Sequence, residues 1–262
     1  MIDAHNHLND PKLLPQIDEL LARMERAGVA GALVVGYDLA SSRVAVELAQ
    51  RYPSQLRAAI GVHPHESKNM DAETLAGLHR LAEHEEVVAY GEIGLDYFYD
   101  ISPRDVQQEA FRRQLHLAGE LNLPVVIHER NAVDDTMAIL DEEHGWTLGG
   151  EWHCCNVTPD IAKTIAQRFY LGIAGWVTFK NSENIRDIVR NVALERLLIE
   201  TDSPYLTPVP YRGKPNEPAY TRLIAQALAE LKGISPEAVE KITIDNTLQA
   251  FPRWKRPGEE DC

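Results

Sequence analysis

Eight short apolar runs, rich in β-branched residues, alternate with helical patterns along the 262 residues of the chain. The runs at 124–127 and 197–199 are apolar almost without interruption, which is typical of parallel strands covered on both faces. Eight strand–helix units predict a closed (β/α)8 TIM barrel, and the chain has the usual length of one such barrel. We therefore expect one α/β domain over residues 1–262. The predicted strands are residues 1–7, 31–36, 56–64, 87–96, 124–129, 150–155, 169–175 and 197–204.

Helix and loop signals fit the same architecture. Ser102-Pro103 and Thr158-Pro159 are each typical of an N-cap followed by proline at the first helical position, and residues 41–52 have the pattern of a crossover helix. The alternative, an open doubly wound sheet, is disfavoured because no glycine-rich phosphate loop follows the first strands. Residues 203–218, hereafter the proline loop, contain five prolines and cannot form regular structure. Long ordered loops of this kind are usually functional.

The charge balance restricts the partners of the chain. Lys and Arg number 26 and Asp and Glu number 40, which gives a net charge of −14. This surplus disfavours non-specific coating of duplex nucleic acid. It does not exclude a nucleic-acid substrate, because divalent ions in an acidic pocket neutralise phosphates within the screening length of about 10 Å.

The sequence predicts neither a membrane span nor an export signal. No apolar run approaches the roughly 20 residues of a membrane span, and the start MIDAHNHLND lacks the pattern of a signal peptide. The three cysteines, Cys154, Cys155 and Cys262, form a poor disulfide framework and suit a reducing compartment. We expect a cytoplasmic protein with no membrane partner and no obligate protein partner.

Six of the ten histidines lie at or just after the carboxyl ends of predicted strands. In a barrel these ends form the single face that carries active sites. The other four, His79, His84, His116 and His144, fall in helical patterns and are interpreted as solvated or capping residues. The six that collect at strand ends are His5, His7, His63, His65, His128 and His153.

Metal-type ligands recur at the same strand ends. His5 and His7 are two residues apart on a strand, so both imidazoles point to one side and can chelate one ion. Glu92 ends an apolar strand, where a carboxylate is costly unless it is paired or ligated. Successive candidates are about one strand–helix–strand repeat apart, which spaces them around the rim. Four histidines and two carboxylates suit two divalent ions, Zn, Mn, Co or Mg. The predicted ligands are His5, His7, Glu92, His128, His153 and Asp202.

Two other chemistries are weaker interpretations. The cysteine pair next to His153 suggests a soft-metal site, but strand alternation predicts that Cys154 points away from His153 and that Cys155 lies one layer further along. No G-x-S-x-G elbow supports a serine nucleophile. We interpret both cysteines as small strand residues.

Five motifs occur in the order DAHNHL, GVHPHES, GEIGLDYFYD, PVVIHER and ETDSPYLTPVPYRGKPNEP. Together with their spacing, they resemble the TatD-like metal-dependent hydrolases over essentially the whole chain. The segment from FYLGIAGWVTFKN through the proline loop is most similar to the YcfH-type branch of this family. The resemblance implies a barrel of the amidohydrolase type and a metal-dependent, mainly 3′-to-5′ exonuclease activity on DNA.

The resemblance also implies a division of the ligands. His5 and His7 would bind one ion with Asp202, His128 and His153 would bind the second, and a bridging carboxylate would be supplied by Glu92. His63 matches a position near the substrate phosphate. The sequence departs from the family at EWHCCN, where LHCF is usual, and at Asn6, where cysteine is common.

Three functions remain open on these residues. In the first, a phosphodiesterase acts on single-stranded DNA or a 3′ end, and Asp202 takes the proton from a metal-activated water. Its predicted substrate contacts are His63, His65, Arg130 and Lys214, with Lys180 and Arg212 as further cations on the same face. In the second, the same site hydrolyses a carbonyl ester, lactone or amide, such as an aminoacyl ester on tRNA. A non-enzymatic scaffold is disfavoured, because a full ligand set is costly to fold without metal.

Overall fold

The computed structural model describes residues 1–255 of the chain, and Cys262 lies outside the described residues. The described residues form an eight-stranded parallel sheet whose strands neighbour one another in chain order. The (β/α)8 barrel is therefore confirmed: seven of the eight predicted strands contain an observed one, and the observed β5 extends one residue beyond the predicted 124–129. The strands are β1 Ile2–Asn6, β2 Gly31–Val35, β3 Leu56–Ile60, β4 Val87–Asp96, β5 Val125–Arg130, β6 Gly150–Trp152, β7 Tyr170–Ile173 and β8 Leu197–Ile199.

Helices follow each strand on the outside of the barrel. Within residues 1–255 they are α1 Ile17–Arg26, α2 Leu39–Arg51, α3 Ala72–Leu81, α4 Arg104–Glu120, α5 Val133–Glu142, α6 Pro159–Ile165, α7 Glu183–Asn191, α8 Thr221–Lys232 and α9 Pro236–Ala250. None of them combines the length and apolar character that a membrane span requires.

One of the two predicted helix starts is confirmed. The Thr158 side chain accepts a hydrogen bond from Ile161 N, and α6 begins at Pro159. The Ser102 prediction is wrong, since α4 begins only after Pro103 and has no side-chain cap. Ser102 instead donates its hydroxyl to the His65 carbonyl at 2.8 Å, so it anchors the loop that carries His65.

Hydrogen bonds between the first strand and the segment after the last strand close the barrel. Asp202 N donates to His5 O at 3.0 Å, and His7 N donates to Ser203 O at 2.8 Å. Both bonds lie at the carboxyl ends of β1 and β8. Barrel closure therefore brings the first and last predicted ligands of the chain together.

Two apolar clusters hold the barrel. The larger one packs the strands against the helices and includes Tyr90 and Phe111. The smaller one includes Leu33, with Phe251 and Trp254 contributed by the segment after α9. The polar side chains described below lie at the carboxyl-terminal face of the barrel.

The proline loop is irregular, as predicted, and is tied to the barrel by one buried amide. Asn216, which is buried, donates to Thr201 O and to Tyr205 O, both at 2.7 Å. The bonds connect the far end of the loop to the segment that carries Asp202. The loop is thus held over the carboxyl-terminal face.

Candidate metal centre

The prediction that Glu92 ends an apolar strand is wrong: Glu92 lies near the middle of β4, where the ladder to β5 is irregular between Gly91 and Ile93. Irregularities of this kind redirect a side chain relative to the pleat. The two neighbouring glycines permit it: a Cβ on Gly91 would lie 2.6 Å from Val126 Cβ, and one on Gly94 would collide with the His128 carbonyl oxygen. The GEIG sequence therefore allows Glu92 to reach the centre of the face.

Five imidazoles surround the Glu92 carboxylate. Its Oε2 lies 3.6 Å from His5 Nε2 and 3.7 Å from His7 Nε2. Its Oε1 lies 2.6 Å from His128 Nδ1 and 3.9 Å from His153 Nε2. The two oxygens thus face two different sets of nitrogen donors.

The fifth imidazole belongs to His63, whose Nε2 is 3.7 Å from Glu92 Oε1. His63 Nδ1 accepts a hydrogen bond from the His65 backbone N–H at 3.1 Å. Burial lowers the pKa of His63 well below its ordinary value, and the neighbouring His128 lowers it further. A neutral imidazole that accepts at Nδ1 carries its proton on Nε2, so His63 presents an N–H donor to the pocket.

Three of the surrounding histidines are held from behind by a hydrogen bond. His7 donates from Nδ1 to Val35 O at 2.9 Å, and His153 pairs through Nδ1 with Glu200 Oε2 at 2.6 Å. His128 pairs through Nε2 with Asp96 Oδ2 at 3.1 Å. Each ring is therefore fixed with its other nitrogen toward Glu92.

Asp202 completes the predicted group from the end of β8. Its Oδ1 is 3.5 Å from His7 Nε2 and 3.8 Å from His153 Nε2. Its backbone has φ +53°, a left-handed conformation that costs a non-glycine residue about 1–3 kcal/mol. Its side chain is 15% exposed, against 4% for Glu92, so Asp202 is the carboxylate of the pair that solvent reaches.

Three acidic residues near the site were not among the predicted ligands. Asp96 accepts from His65 and His128, and Glu200 pairs with His153 and accepts from Cys154 N at 2.7 Å. The third, Glu151, lies on β6 with its side chain fully buried and 3.9 Å from His5 Nδ1. The available signal was an isolated acid inside an apolar strand, which is costly unless partnered.

The two cysteines do not lie on a strand, contrary to the prediction from the strand pattern. Strand β6 ends at Trp152, and Cys154 has φ +45°, so alternation no longer applies. The prediction that Cys154 points away from His153 is wrong, because the thiol shares a donor group with His153 and Glu200. Burial raises the pKa of the Cys154 thiol well above its ordinary value, and the Glu200 charge adds to this effect. Cys155 is buried in the larger apolar cluster.

The pKa values indicate that the carboxylates of the pocket favour protonated imidazoles beside them. Burial alone would lower the pKa of His153, but the Glu200 and Glu92 charges outweigh it and raise that pKa to about 10. Burial also opposes the charge on His128, yet its hydrogen bonds with Asp96 and Glu92 raise its pKa to about 9. Burial would raise the pKa of Glu92, but the surrounding imidazoles hold it well below its ordinary value. Protons therefore supply the cationic charge in the metal-free protein.

The donor set fits divalent metal ions. Nitrogen and carboxylate oxygen donors suit ions of intermediate hardness. In the described chain, five sets of three donor atoms lie within 4.8 Å of one another, and three of these sets consist of predicted site residues only. His153 shares a set with His5 and Asp202, whereas His128 shares one with His63, so the implied division of ligands between two ions stays a prediction. The sets are His5, His7 and Glu92; His63, Glu92 and His128; and His5, His153 and Asp202.

Exposed apolar side chains concentrate around this site. Six of the seven large exposed apolar residues of the described chain lie on the loop after β4 or on the proline loop. We call them the rim patch: Phe98, Tyr99, Ile101, Tyr205, Val209 and Tyr211.

Cations lie over the rings of the rim patch. The Arg130 guanidinium is 4.2 Å from the Phe98 ring and 4.7 Å from the Tyr99 ring, and the Lys214 ammonium is 5.6 Å from the Tyr211 ring. Tyr99 in turn lies 5.5 Å from His65, so Arg130 is connected to the histidine group through one ring. Lys214 is further along the proline loop.

Comparison with known proteins identifies the family of the chain. The family model described as TatD related DNase matches residues 2–252. The chain belongs to the TatD family. It is 42% identical over 252 residues to the uncharacterized metal-dependent hydrolase YabD of Bacillus subtilis (strain 168), covering 96% of this chain and 98% of that protein. It is 36% identical over 257 residues to the protein named 3'-5' ssDNA/RNA exonuclease TatD of Erwinia billingiae (strain Eb661), covering 96% and 98%.

A solved structure agrees with the fold over the same extent. The TatD homologue YJJV of Escherichia coli K12 superposes with a TM-score of 0.90 at 29% identity, covering 96% of this chain and 98% of that one. The chain is therefore a metal-dependent hydrolase of the TatD family, as its motifs indicated.

Proposed function

We propose that this hydrolase holds two divalent ions and cleaves phosphodiester bonds of single-stranded nucleic acid from the 3′ end. The observation that carries the proposal is the position of Glu92, whose two oxygens face two different sets of imidazoles. A carboxylate between two donor sets is the arrangement that a bridging ligand needs. Zn, Mn, Co and Mg are all compatible with these nitrogen and oxygen donors.

In the proposed ligand set, His5, His7 and Asp202 would hold one ion, His128 and His153 would hold the other, and Glu92 would serve both. When bound, the ions activate a water molecule and stabilise charge on the phosphate oxygens.

The protein side chains supply positioning and proton transfer. Asp202 accepts the proton of the attacking water, since it is the more exposed of the two catalytic carboxylates we propose, Asp202 and Glu92. His63 donates a hydrogen bond from Nε2 to a phosphate oxygen. Asp96 orients His65 and His128 through its Oδ2, which lies 3.0 Å from His65 Nε2 and 3.1 Å from His128 Nε2. Arg130 and Lys214 contact the flanking phosphates.

The rim patch favours a nucleic acid over a small ester. Exposed aromatic rings stack with unpaired bases, and neighbouring cations bind the backbone, in proteins that bind single strands. Phe98 and Tyr99 with Arg130 provide that combination next to the histidines. A small lactone or a free aminoacyl ester uses neither feature, whereas an aminoacyl ester on the single-stranded 3′ end of a tRNA would use both. The printed name of the Erwinia billingiae relative points to the same substrate class.

A 5′-end-labelled single-stranded oligonucleotide, incubated with metal-loaded protein, tests the proposal. We expect products that shorten progressively from the 3′ end, with Asp202→Asn as the control for contaminating nuclease. A panel of aminoacyl esters and lactones is tested in parallel. Hydrolysis of the carbonyl substrates without cleavage of the oligonucleotide would contradict the nuclease proposal.

A further inference from the structure

Glu151 is a buried carboxyl group without a hydrogen-bond partner. Its side chain is fully buried on β6 beside the Glu200 carboxylate, and burial together with the Glu200 charge raises the pKa of Glu151 well above its ordinary value. Neither Glu151 oxygen accepts a hydrogen bond in the described structure. Leaving a carboxyl group in that state is costly, and native proteins retain such groups where they serve a function. The residue therefore calls for a partner that forms under working conditions.

The atom that faces Glu151 also lacks a partner. His5 Nδ1 is buried, has no hydrogen bond, and lies 3.9 Å from Glu151 Oε2. On the other side of the same ring, His5 Nε2 lies 3.6 Å from Glu92 and 3.4 Å from His7 Nε2. His5 thus has one nitrogen toward the donor group and the other toward Glu151.

Three other imidazoles of the group show what such a contact does. In each, the nitrogen turned away from Glu92 is hydrogen-bonded to an oxygen acceptor: Val35 O for His7, Glu200 for His153 and Asp96 for His128. An acceptor at this position fixes the ring orientation and the tautomer of a metal-binding histidine. His5 is the member of the set whose acceptor is near but not engaged.

We infer that Glu151 is a positioning residue for His5, accepting the Nδ1 proton so that Nε2 is directed to the metal. A carboxyl oxygen accepts this bond whether or not its other oxygen carries a proton. The approach removes two unpartnered buried atoms at once. The inference rests on the metal site of the proposed function, and its test measures metal binding rather than activity.

Three substitutions separate position from charge. Glu151→Gln keeps an acceptor at the same reach without the charge, Glu151→Asp keeps the charge but withdraws the oxygen, and Glu151→Met removes both. Tyr90→Phe is the matched control, because Tyr90 OH is also buried without a partner but the ring packs in the larger apolar cluster. The dissociation constants for Zn²⁺ are measured by competition with a chromophoric chelator, and thermal unfolding is measured in chelator alone.

If Glu151 positions His5, Glu151→Asp and Glu151→Met should weaken the binding of one Zn²⁺ ion by about 10- to 100-fold. The affinity of Glu151→Gln for that ion should stay within about threefold of wild type. The metal-free Glu151→Met protein should unfold at a temperature equal to or above that of wild type, because an unpartnered buried carboxyl is removed. Tyr90→Phe should leave both constants unchanged.

Several results would overturn the inference. Unchanged Zn²⁺ constants in Glu151→Asp exclude positioning even if the methionine variant does not fold. Equal weakening in the glutamine and methionine variants assigns the effect to charge alone. If wild type binds a third ion and the Glu151 variants lose it, Glu151 is a metal ligand rather than a positioning residue. Wild type that binds no Zn²⁺ contradicts the proposed function, whereas two ions held unchanged in every variant contradict only the role of Glu151.

Discussion

Replacing Glu92 by glutamine should remove both metal sites together. The substitution keeps the shape of the side chain and deletes one negative charge. Glu92 is the carboxylate that lies within 4 Å of five imidazoles, with Oε2 toward His5 and His7 and Oε1 toward His128 and His153. A change at this one position therefore affects both sets of donors.

The expected loss follows from these distances. The donor nitrogens lie between 2.6 and 3.9 Å from the Glu92 oxygens, so an ion held between them lies within about 4 Å of the carboxylate. At 4 Å and an effective dielectric constant of about 20, one pair of unit charges contributes about 4 kcal/mol. Counting only one unit of the ion's charge, this predicts about a thousandfold weaker binding of each ion.

Elemental analysis after gel filtration gives the number of bound ions. Chelator competition gives their affinities. Glu129→Gln is the matched control: Glu129 follows His128 on β5, but its carboxylate accepts from Ala132 N at 2.7 Å and belongs to none of the donor sets. We expect two ions in wild type and in the control, and none in Glu92→Gln at micromolar metal. Retention of one ion with wild-type affinity in Glu92→Gln would refute the bridging role.

Three further outcomes follow from the site. Asp202→Asn should lower kcat by about 10²- to 10⁴-fold at saturating metal, and recovery to near the wild-type rate in excess metal would leave Asp202 a ligand only. Replacing Arg130 and Lys214 by glutamine should raise KM for oligonucleotides and flatten its salt dependence, whereas the exposed Lys163 on α6, replaced in the same way, should change neither. Because His128 and His153 have pKa values of about 9 and about 10 without metal and must each lose a proton to bind the same ion, the affinity for that ion should rise by up to about a hundredfold per pH unit between pH 6 and about pH 8. Chelator competition at several pH values measures this rise, and a falling affinity would contradict it.

The barrel could be predicted from the sequence because its evidence is periodic. Each strand is a separate apolar run, and the order of strands in the sheet is their order in the chain. The predicted ligands lie close together for the same reason: in a closed parallel barrel, every strand ends at one face. His5 and Asp202 are far apart in sequence, yet their backbones meet through the bond from Asp202 N to His5 O.

The residues that hold the ligands could not be found in this way. Whether Glu151, Glu200 or Asp96 faces an imidazole depends on register between strands and on which way each histidine ring turns. Strand alternation also fails where the backbone leaves the strand, as the positive φ at Cys154 shows. The sequence therefore indicated which side chains gather at this face but not the acceptors that hold the histidines from behind.

The net charge of −14 is compatible with the proposed polyanionic substrate because of where the charges lie. Glu151 and Glu200 are fully buried and Glu92 is 4% exposed, so these carboxylates lie below the surface that a substrate meets. A strand that approaches the rim patch meets aromatic rings with the Arg130 and Lys214 cations over them. Surface charges elsewhere are screened over about 8 Å at physiological salt, so the repulsion they cause slows encounter more than it weakens contact. Local charge at the rim, rather than the total, governs whether a phosphate backbone can bind.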